Sequence, residues 1–117
     1  MPTIRILISL KAHHWHVRQL DVDTAYLNAK LDNELYITQP KGFEVQGQQG
    51  EQLVCRLAKA IYGLKQAGLA WYNHLTRLLQ NMDFKKTISD QCLFIKTTSN
   101  PIFVATYVDD LLVASPS

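Results

Sequence analysis

Long apolar runs are missing from this chain of 117 residues. Nothing in it approaches the roughly 18 residues that a membrane-spanning helix requires, so no membrane partner is expected. The N-terminal stretch Ile4-Arg5-Ile6-Leu7-Ile8-Ser9-Leu10 is broken by charge and lacks a small-residue cleavage site, which argues against a signal peptide and secretion. Ile4, Leu7 and Ile8 fall at helical spacing instead and predict a core-packing helix. Cysteine is scarce too. Cys55 and Cys92 have no CxxC spacing and lie in apolar stretches, so buried free thiols in a reducing compartment are expected rather than a disulfide or a zinc site. Repeats and low-complexity linkers are absent. With 47% apolar and 19% charged residues, the chain has the composition of one ordinary globular domain.

A strong charge of either sign is also lacking, since the formal balance is only +2. What the chain has instead is acid in short strings. Pro101 to Val108 is rich in β-branched and aromatic residues, Asp109 and Asp110 follow, and Leu111 to Ala114 resumes the apolar run. Asp109-Asp110 is therefore expected as the two-residue tip of a β-hairpin. Neighbouring side chains on a straight strand point to opposite faces, so adjacent carboxylates share a site only where the chain turns. Two unit charges about 4 Å apart repel by roughly 4 kcal/mol at an effective dielectric near 20, and a third acid nearby calls for a cation.

Asp21 is the candidate third acid. Trp15-His16-Val17-Arg18-Gln19-Leu20 alternates loosely in polarity as a half-buried strand does, and Asp21 falls at its end, before the helix-compatible Thr24 to Ala29. If the two strands are neighbours in one antiparallel sheet, acids 88 positions apart converge. Ligands that are all oxygen suit Mg²⁺ or Mn²⁺, ions that also bind substrate phosphates. Setting those three acids aside leaves 12 basic residues against seven acidic ones, a balance of +5, which permits nucleic-acid binding. Read alone, an Asp-Asp pair at a hairpin tip is most often just a solvated turn. His13, His14 and His16 around Trp15 are expected as a polar corner between helix and strand, not a metal site, and His74 has no evident partner.

The middle of the chain supplies scaffold. Leu35-Tyr36-Ile37 reads as a short strand closed by Gln39-Pro40-Lys41-Gly42, Gln46 to Gln52 as an exposed loop, and Leu53 to Leu57 as another strand. Trp71, Leu75, Leu78, Leu79 and Met82 predict an amphipathic helix with one buried stripe, ended by Asp83-Phe84. Cys92 to Lys96 starts a strand able to pair with Ile102 to Val108. This order predicts an α+β fold, an antiparallel sheet with helices packed on one face.

Four strings, taken in order, carry a resemblance. Asp21-Val22-Asp23-Thr24-Ala25-Tyr26-Leu27-Asn28, Leu35-Tyr36-Ile37 with Gln39-Pro40-Lys41-Gly42-Phe43, Tyr62-Gly63-Leu64-Lys65-Gln66-Ala67 with Trp71-Tyr72, and Tyr107-Val108-Asp109-Asp110 resemble the reverse transcriptase of copia-type LTR retrotransposons. The likeness covers nearly the whole chain, and Tyr-Gly-Leu-Lys-Gln-Ala is highly specific to that group. It implies that residues 1 to 117 form a partial reverse transcriptase domain, a polymerase palm with incomplete fingers and no thumb. It implies that Asp21, Asp109 and Asp110 are the catalytic carboxylates and that, with the Val22 carbonyl, they hold two Mg²⁺ or Mn²⁺ ions about 3.5–4 Å apart. Asp23, Thr24 and Ala25 would approach the triphosphate through backbone, as a helix N-terminus does. Tyr26 would sit under the sugar and exclude a 2′-hydroxyl, although its spacing equally lets it pack a helix start. Gln66 and Lys65 would lie over the incoming nucleotide and the template, and Tyr107 would support the primer end.

The implied partners are an RNA or DNA template-primer, deoxynucleoside triphosphates, and the rest of a Pol polyprotein with integrase and RNase H. The implied location is intracellular, in a cytoplasmic virus-like particle where the element is active. The chain departs from the family pattern at Gly68-Leu69, where Pro-Arg is usual, and at Ala29, where glycine is common. The basic fingers segment is expected upstream of Met1 and the thumb and RNase H beyond Ser117, so the isolated chain is expected to be inactive. Two alternatives stand beside this: a non-catalytic transposon relic, and a Mg-dependent haloacid-dehalogenase-like phosphatase. The second fits poorly, because Thr24 is one place early for Asp-x-Asp-x-Thr and the chain is short for a doubly wound sheet.

Overall fold

The computed structural model describes residues 2 to 116. Helix α1 (Pro2–Leu10) leads through a short 3-10 turn into strand β1 (Trp15–Asp21). The corner is made by His14, whose backbone is left-handed at φ 65°, so the histidine cluster is a corner as expected. After a one-turn 3-10 segment over Ala25–Asn28 come β2 (Tyr36–Thr38) and β3 (Val54–Arg56). Helix α2 (Ala67–Asn81) follows, and the chain closes with β4 (Lys85–Lys86), β5 (Leu93–Lys96), β6 (Ile102–Tyr107) and β7 (Asp110–Pro116).

Five strands form one antiparallel sheet in the order β1-β7-β6-β5-β4, while β2 and β3 pair only with each other. The α+β class and the antiparallel sheet are therefore as expected. The outer strand β4 was not anticipated, because Lys85 and Lys86 have no strand composition. Two lysines on a sheet edge discourage pairing with other chains.

The helices do not share a face. The cross-strand row Phe94, Val104 and Val113 packs with Trp71, Leu75 and Leu79 of α2, whereas the alternate row Leu93, Ala105 and Leu112 packs with Leu7 and Leu10 of α1. Strand alternation explains it: the middle strands are apolar on both faces, so each face takes a helix. The expected stripe on α2 is narrower than predicted, since Trp71, Leu75 and Leu79 are buried but Leu78 and Met82 are about half exposed. Leu78 lies in the last turn of α2 and Met82 just past its end. In α1 only Leu7 is buried, and Ile8 is exposed. Cys55 and Cys92 are free but only half-buried, not fully buried as their apolar neighbours suggested.

Helix α2 stops where expected. Asp83 takes φ 67° and Phe84 turns back into the core, its N–H bonded to the Leu79 carbonyl at 3.0 Å. The β2–β3 hairpin is a separate arm. The molecule measures 67 × 24 × 21 Å with a radius of gyration of 19.2 Å, against about 13 Å for a compact chain of this length. No residue from 30 to 59 is buried.

Candidate active site

The β6–β7 hairpin is one residue out of register with the sequence expectation. Its two-residue tip is Val108-Asp109, and Asp110 is already the first residue of β7, opposite Tyr107. Val108 carries φ 53°, a left-handed conformation that is costly for a β-branched residue. The Trp71 indole N–H holds the turn by donating to the Val108 carbonyl at 2.7 Å. Trp71 thus does more than fill the core, a role that its helical spacing could not reveal.

The sheet brings the three acids to one end. Strand β1 pairs with β7 so that Asp21 lies directly opposite Asp110, and the Val22 N–H bonds the Asp109 carbonyl at 3.0 Å. Like charges facing each other across strands are destabilising, and Gln19 Nε2 donates to Asp110 Oδ1 at 3.3 Å. Strand alternation places Asp21, Asp110 and Tyr107 in one row on the α1 side of the sheet. Asp110 and Tyr107 line a shallow hollow there with Ile4, Ile8 and Gln19.

Asp109 looks elsewhere. Its Oδ2 accepts the Tyr62 hydroxyl at 2.9 Å, and its Oδ1 is buried with no partner. A buried oxygen left without a partner costs about 1–3 kcal/mol. Among the described residues no three acidic, histidine or cysteine side chains are gathered into a ready-made metal cluster. The donor chemistry nevertheless fits a hard cation: three carboxylates at one sheet end, one with an unmatched oxygen. The oxygen of Asp109 that is matched bonds Tyr62.

Tyr62 reaches the site through a turn that glycine permits. Gly63 at φ 90° is the third residue of the Ile61–Leu64 turn, where a positive φ is required. The Ala60 N–H bonds the Ala29 carbonyl at 2.9 Å, and both alanines are fully buried. Ala29 itself has φ −94° and ψ 130°, an extended conformation open to any residue, so its departure from a common glycine introduces no strain. The Tyr62 ring stacks on Tyr26 with centroids 4.4 Å apart. Its hydroxyl is pushed above the usual phenol range, first by donation to Asp109, then by partial desolvation and the Asp109 charge, against the opposing Ala25 N–H.

The remaining predicted residues are placed as follows. Asp23 and Thr24 are exposed and Ala25 is buried. Thr24 has φ 49°, and the helix expected there is only one 3-10 turn, too short for a helix dipole to matter. Tyr26 is half-buried, and its hydroxyl lies where a Cβ on Gly68 would meet it at 3.8 Å. A cavity of about 230 Å³ opens beside it, lined by Tyr26, Trp71, Tyr72, Leu75, Tyr107 and Val108 among others. Lys65 and Gln66 are exposed immediately before α2, and the Gln66 carbonyl accepts the Ala70 N–H at 3.0 Å. The sequence reading passed over Gln19 and Tyr62; only the Tyr-Gly-Leu-Lys-Gln-Ala string pointed near the latter.

Residues 1–117 match the family described as Reverse transcriptase (RNA-dependent DNA polymerase), and the chain belongs to that family. It is 43% identical over 116 residues, 97% of its length, to the retrovirus-related Pol polyprotein from transposon TNT 1-94 of Nicotiana tabacum. It is 42% identical over 113 residues, 95% of its length, to the corresponding polyprotein from transposon RE2 of Arabidopsis thaliana. With the transposon Ty1-NL2 Gag-Pol polyprotein of Saccharomyces cerevisiae it shares 31% over 104 residues, 88% of its length. The chain spans only 9%, 8% and 6% of those three relatives. No solved structure matches it. The copia-type resemblance is thereby established at the level of the family, and no described helix is long and apolar enough to cross a membrane.

Proposed function

We propose that this chain forms the catalytic centre of a retrotransposon reverse transcriptase, adding deoxynucleotides to a primer on an RNA or DNA template and releasing pyrophosphate. The observation that carries the reading is the like-charge pair Asp21 and Asp110 fixed by strand register beside Asp109, whose Oδ1 is buried and unmatched. A fold retains such a pair at a cost, and a divalent cation removes it. Two ions of Mg²⁺ or Mn²⁺, when bound, supply activation of the primer hydroxyl and stabilisation of the leaving pyrophosphate. Asp21, Asp109 and Asp110 hold them, with the Val22 carbonyl assisting. This division of work is the palm of a polymerase, with the β2–β3 arm as part of the fingers.

The chain's own residues bind and orient the substrate. Backbone at Asp23, Thr24 and Ala25 approaches the triphosphate, and Tyr26 lies under the deoxyribose and excludes a 2′-hydroxyl. Gln66 covers the nucleotide, Lys65 the template strand, and Tyr107, in the same row as Asp110, supports the primer end. The flanking Pol segments, including integrase and RNase H, supply the rest of the grip, so the isolated 117 residues are inactive. The setting is a cytoplasmic virus-like particle.

The test is a graft of residues 1 to 117 into a related complete polymerase. Mg²⁺-dependent primer extension is expected to survive the graft and to fall at least about a hundredfold, ~2.7 kcal/mol of barrier, in Asp109→Asn. Equal extension by the substituted graft overturns the carboxylate assignment. Tyr26→Val is expected to admit ribonucleotides, and unchanged sugar discrimination removes Tyr26 from the site.

A further inference from the structure

Tyr62 touches three of the groups assigned above to the nucleotide and its metals. Its hydroxyl donates to Asp109 Oδ2 at 2.9 Å beside the Ala25 backbone, and its ring stacks on Tyr26 with centroids 4.4 Å apart and planes 27° from parallel. One side chain therefore covers Asp109, Tyr26 and the Ala25 backbone, the groups which the polymerase reading gives to cation, sugar and phosphate. It is also free to leave. The Tyr62 side chain is about half exposed, and it sits in a turn followed by Gly63 at φ 90° with open space where a Cβ would point.

We infer that Tyr62 is a positioning residue that caps the empty site, holding Asp109 away from Asp21 and Asp110 until the nucleotide and its metals displace the phenol. The inference rests on the polymerase reading, since the groups that Tyr62 covers are those which that reading assigns to substrate. It accounts for the ungathered carboxylates: Asp109 bonds the phenol with one oxygen while the other stays unmatched. Tyr62 is thus a competitor for the site, and its removal strengthens binding where removal of a structural residue weakens it.

The experiment uses the complete polymerase carrying these residues and Mn²⁺ as the probe, with free Mn²⁺ read by its electron paramagnetic resonance signal in the absence of nucleic acid. Tyr62→Phe keeps the ring on Tyr26 and deletes only the hydroxyl. It is expected to bind Mn²⁺ about tenfold more tightly than the parent and to lower the KM for deoxynucleotide severalfold, with kcat within about twofold. The near-ultraviolet circular dichroism of Trp71 checks that the hairpin contact is intact. Tyr62→Leu, which removes ring and hydroxyl together while staying apolar, is expected to match or exceed the gain in Mn²⁺ affinity. Unchanged or weaker Mn²⁺ binding in both variants, while Asp109→Asn abolishes it, overturns the role of Tyr62 and leaves the polymerase reading standing. Mn²⁺ binding untouched by Asp109→Asn overturns both.

Discussion

The five-stranded sheet and the β2–β3 arm are built from similar residue types and behave as opposites. Strands β5, β6 and β7 are apolar on both faces and lie between two helices, so Phe94 and Ala114 are fully buried and Val104 nearly so. The arm has apolar side chains of its own, but Phe43 is 80% exposed and Tyr36 and Val54 more than half. Its order rests on main-chain pairing of β2 with β3, on the Arg56–Glu34 ion pair at 2.6 Å, and on Gln39, which bonds the backbone of both Val45 and Leu53. An exposed ion pair contributes little, and a two-stranded hairpin is marginal in water. The difference teaches that apolar composition does not make a core; a covering layer does. The site stands at the end of the covered region, where its carboxylates can be held in register.

The largest test of this contrast is Phe94→Ala, expected to cost about 3–5 kcal/mol through loss of burial and the cavity left between β5 and α2, measured by urea denaturation. Val54→Ala in the arm is expected to stay within about 0.5 kcal/mol, and an equal loss at both positions erases the distinction. Trp71→Phe is expected to cost about 1–3 kcal/mol in the same measurement, since the turn at Val108 loses its indole donor while the ring volume is largely kept.

Acid separates the regions next. The Asp90 carboxyl is held below the usual range, first by the Thr3 hydroxyl and then by the Cys92 N–H, against slight desolvation. Because its folded pKa is depressed, the unfolded chain binds the proton first as pH falls. The stabilisation is complete above the unfolded value, near 3.8, and is lost as pH drops through the folded one. Asp90→Asn is expected to flatten the acid limb of the stability curve where α1 meets the β4–β5 loop, with no change in hydrogen exchange of the arm. A small gain is expected from Gly68→Ala in the first turn of α2. It gains up to about 0.5–1 kcal/mol of helix propensity, with the new Cβ in ordinary contact with the Tyr26 hydroxyl at 3.8 Å.

Local pattern made much of the fold legible. Alternation marked β1, β-branched and aromatic composition marked β6, and the 3.6-residue stripe marked α2, because such preferences are written in local composition and spacing. What spacing cannot express is which neighbour covers which face. The helices were expected together on one side, yet β6 alternates Phe103 and Ala105 against Ile102 and Val104, apolar in both phases, which serves a sheet covered once or twice equally well. The hairpin tip was displaced by one residue for a similar reason: Asp-Asp has better turn chemistry than Val-Asp, and only pairing with β1 and the Trp71 bond place Val108 in the turn despite its φ.

By itself the sequence determined the α+β class, the strand that ends at Asp21 and the two that flank the hairpin acids, and membership of the reverse transcriptase family, because each of these is a matter of local periodicity or of an ordered set of short strings. Tertiary structure alone decided that Asp21 faces Asp110 across the sheet, that the two helices lie on opposite faces, and that Tyr62 comes back over 47 positions to bond Asp109. Those are contacts between elements distant in the chain, and their geometry is set by sheet register and by the Ala29–Ala60 docking, which no window of neighbouring residues contains.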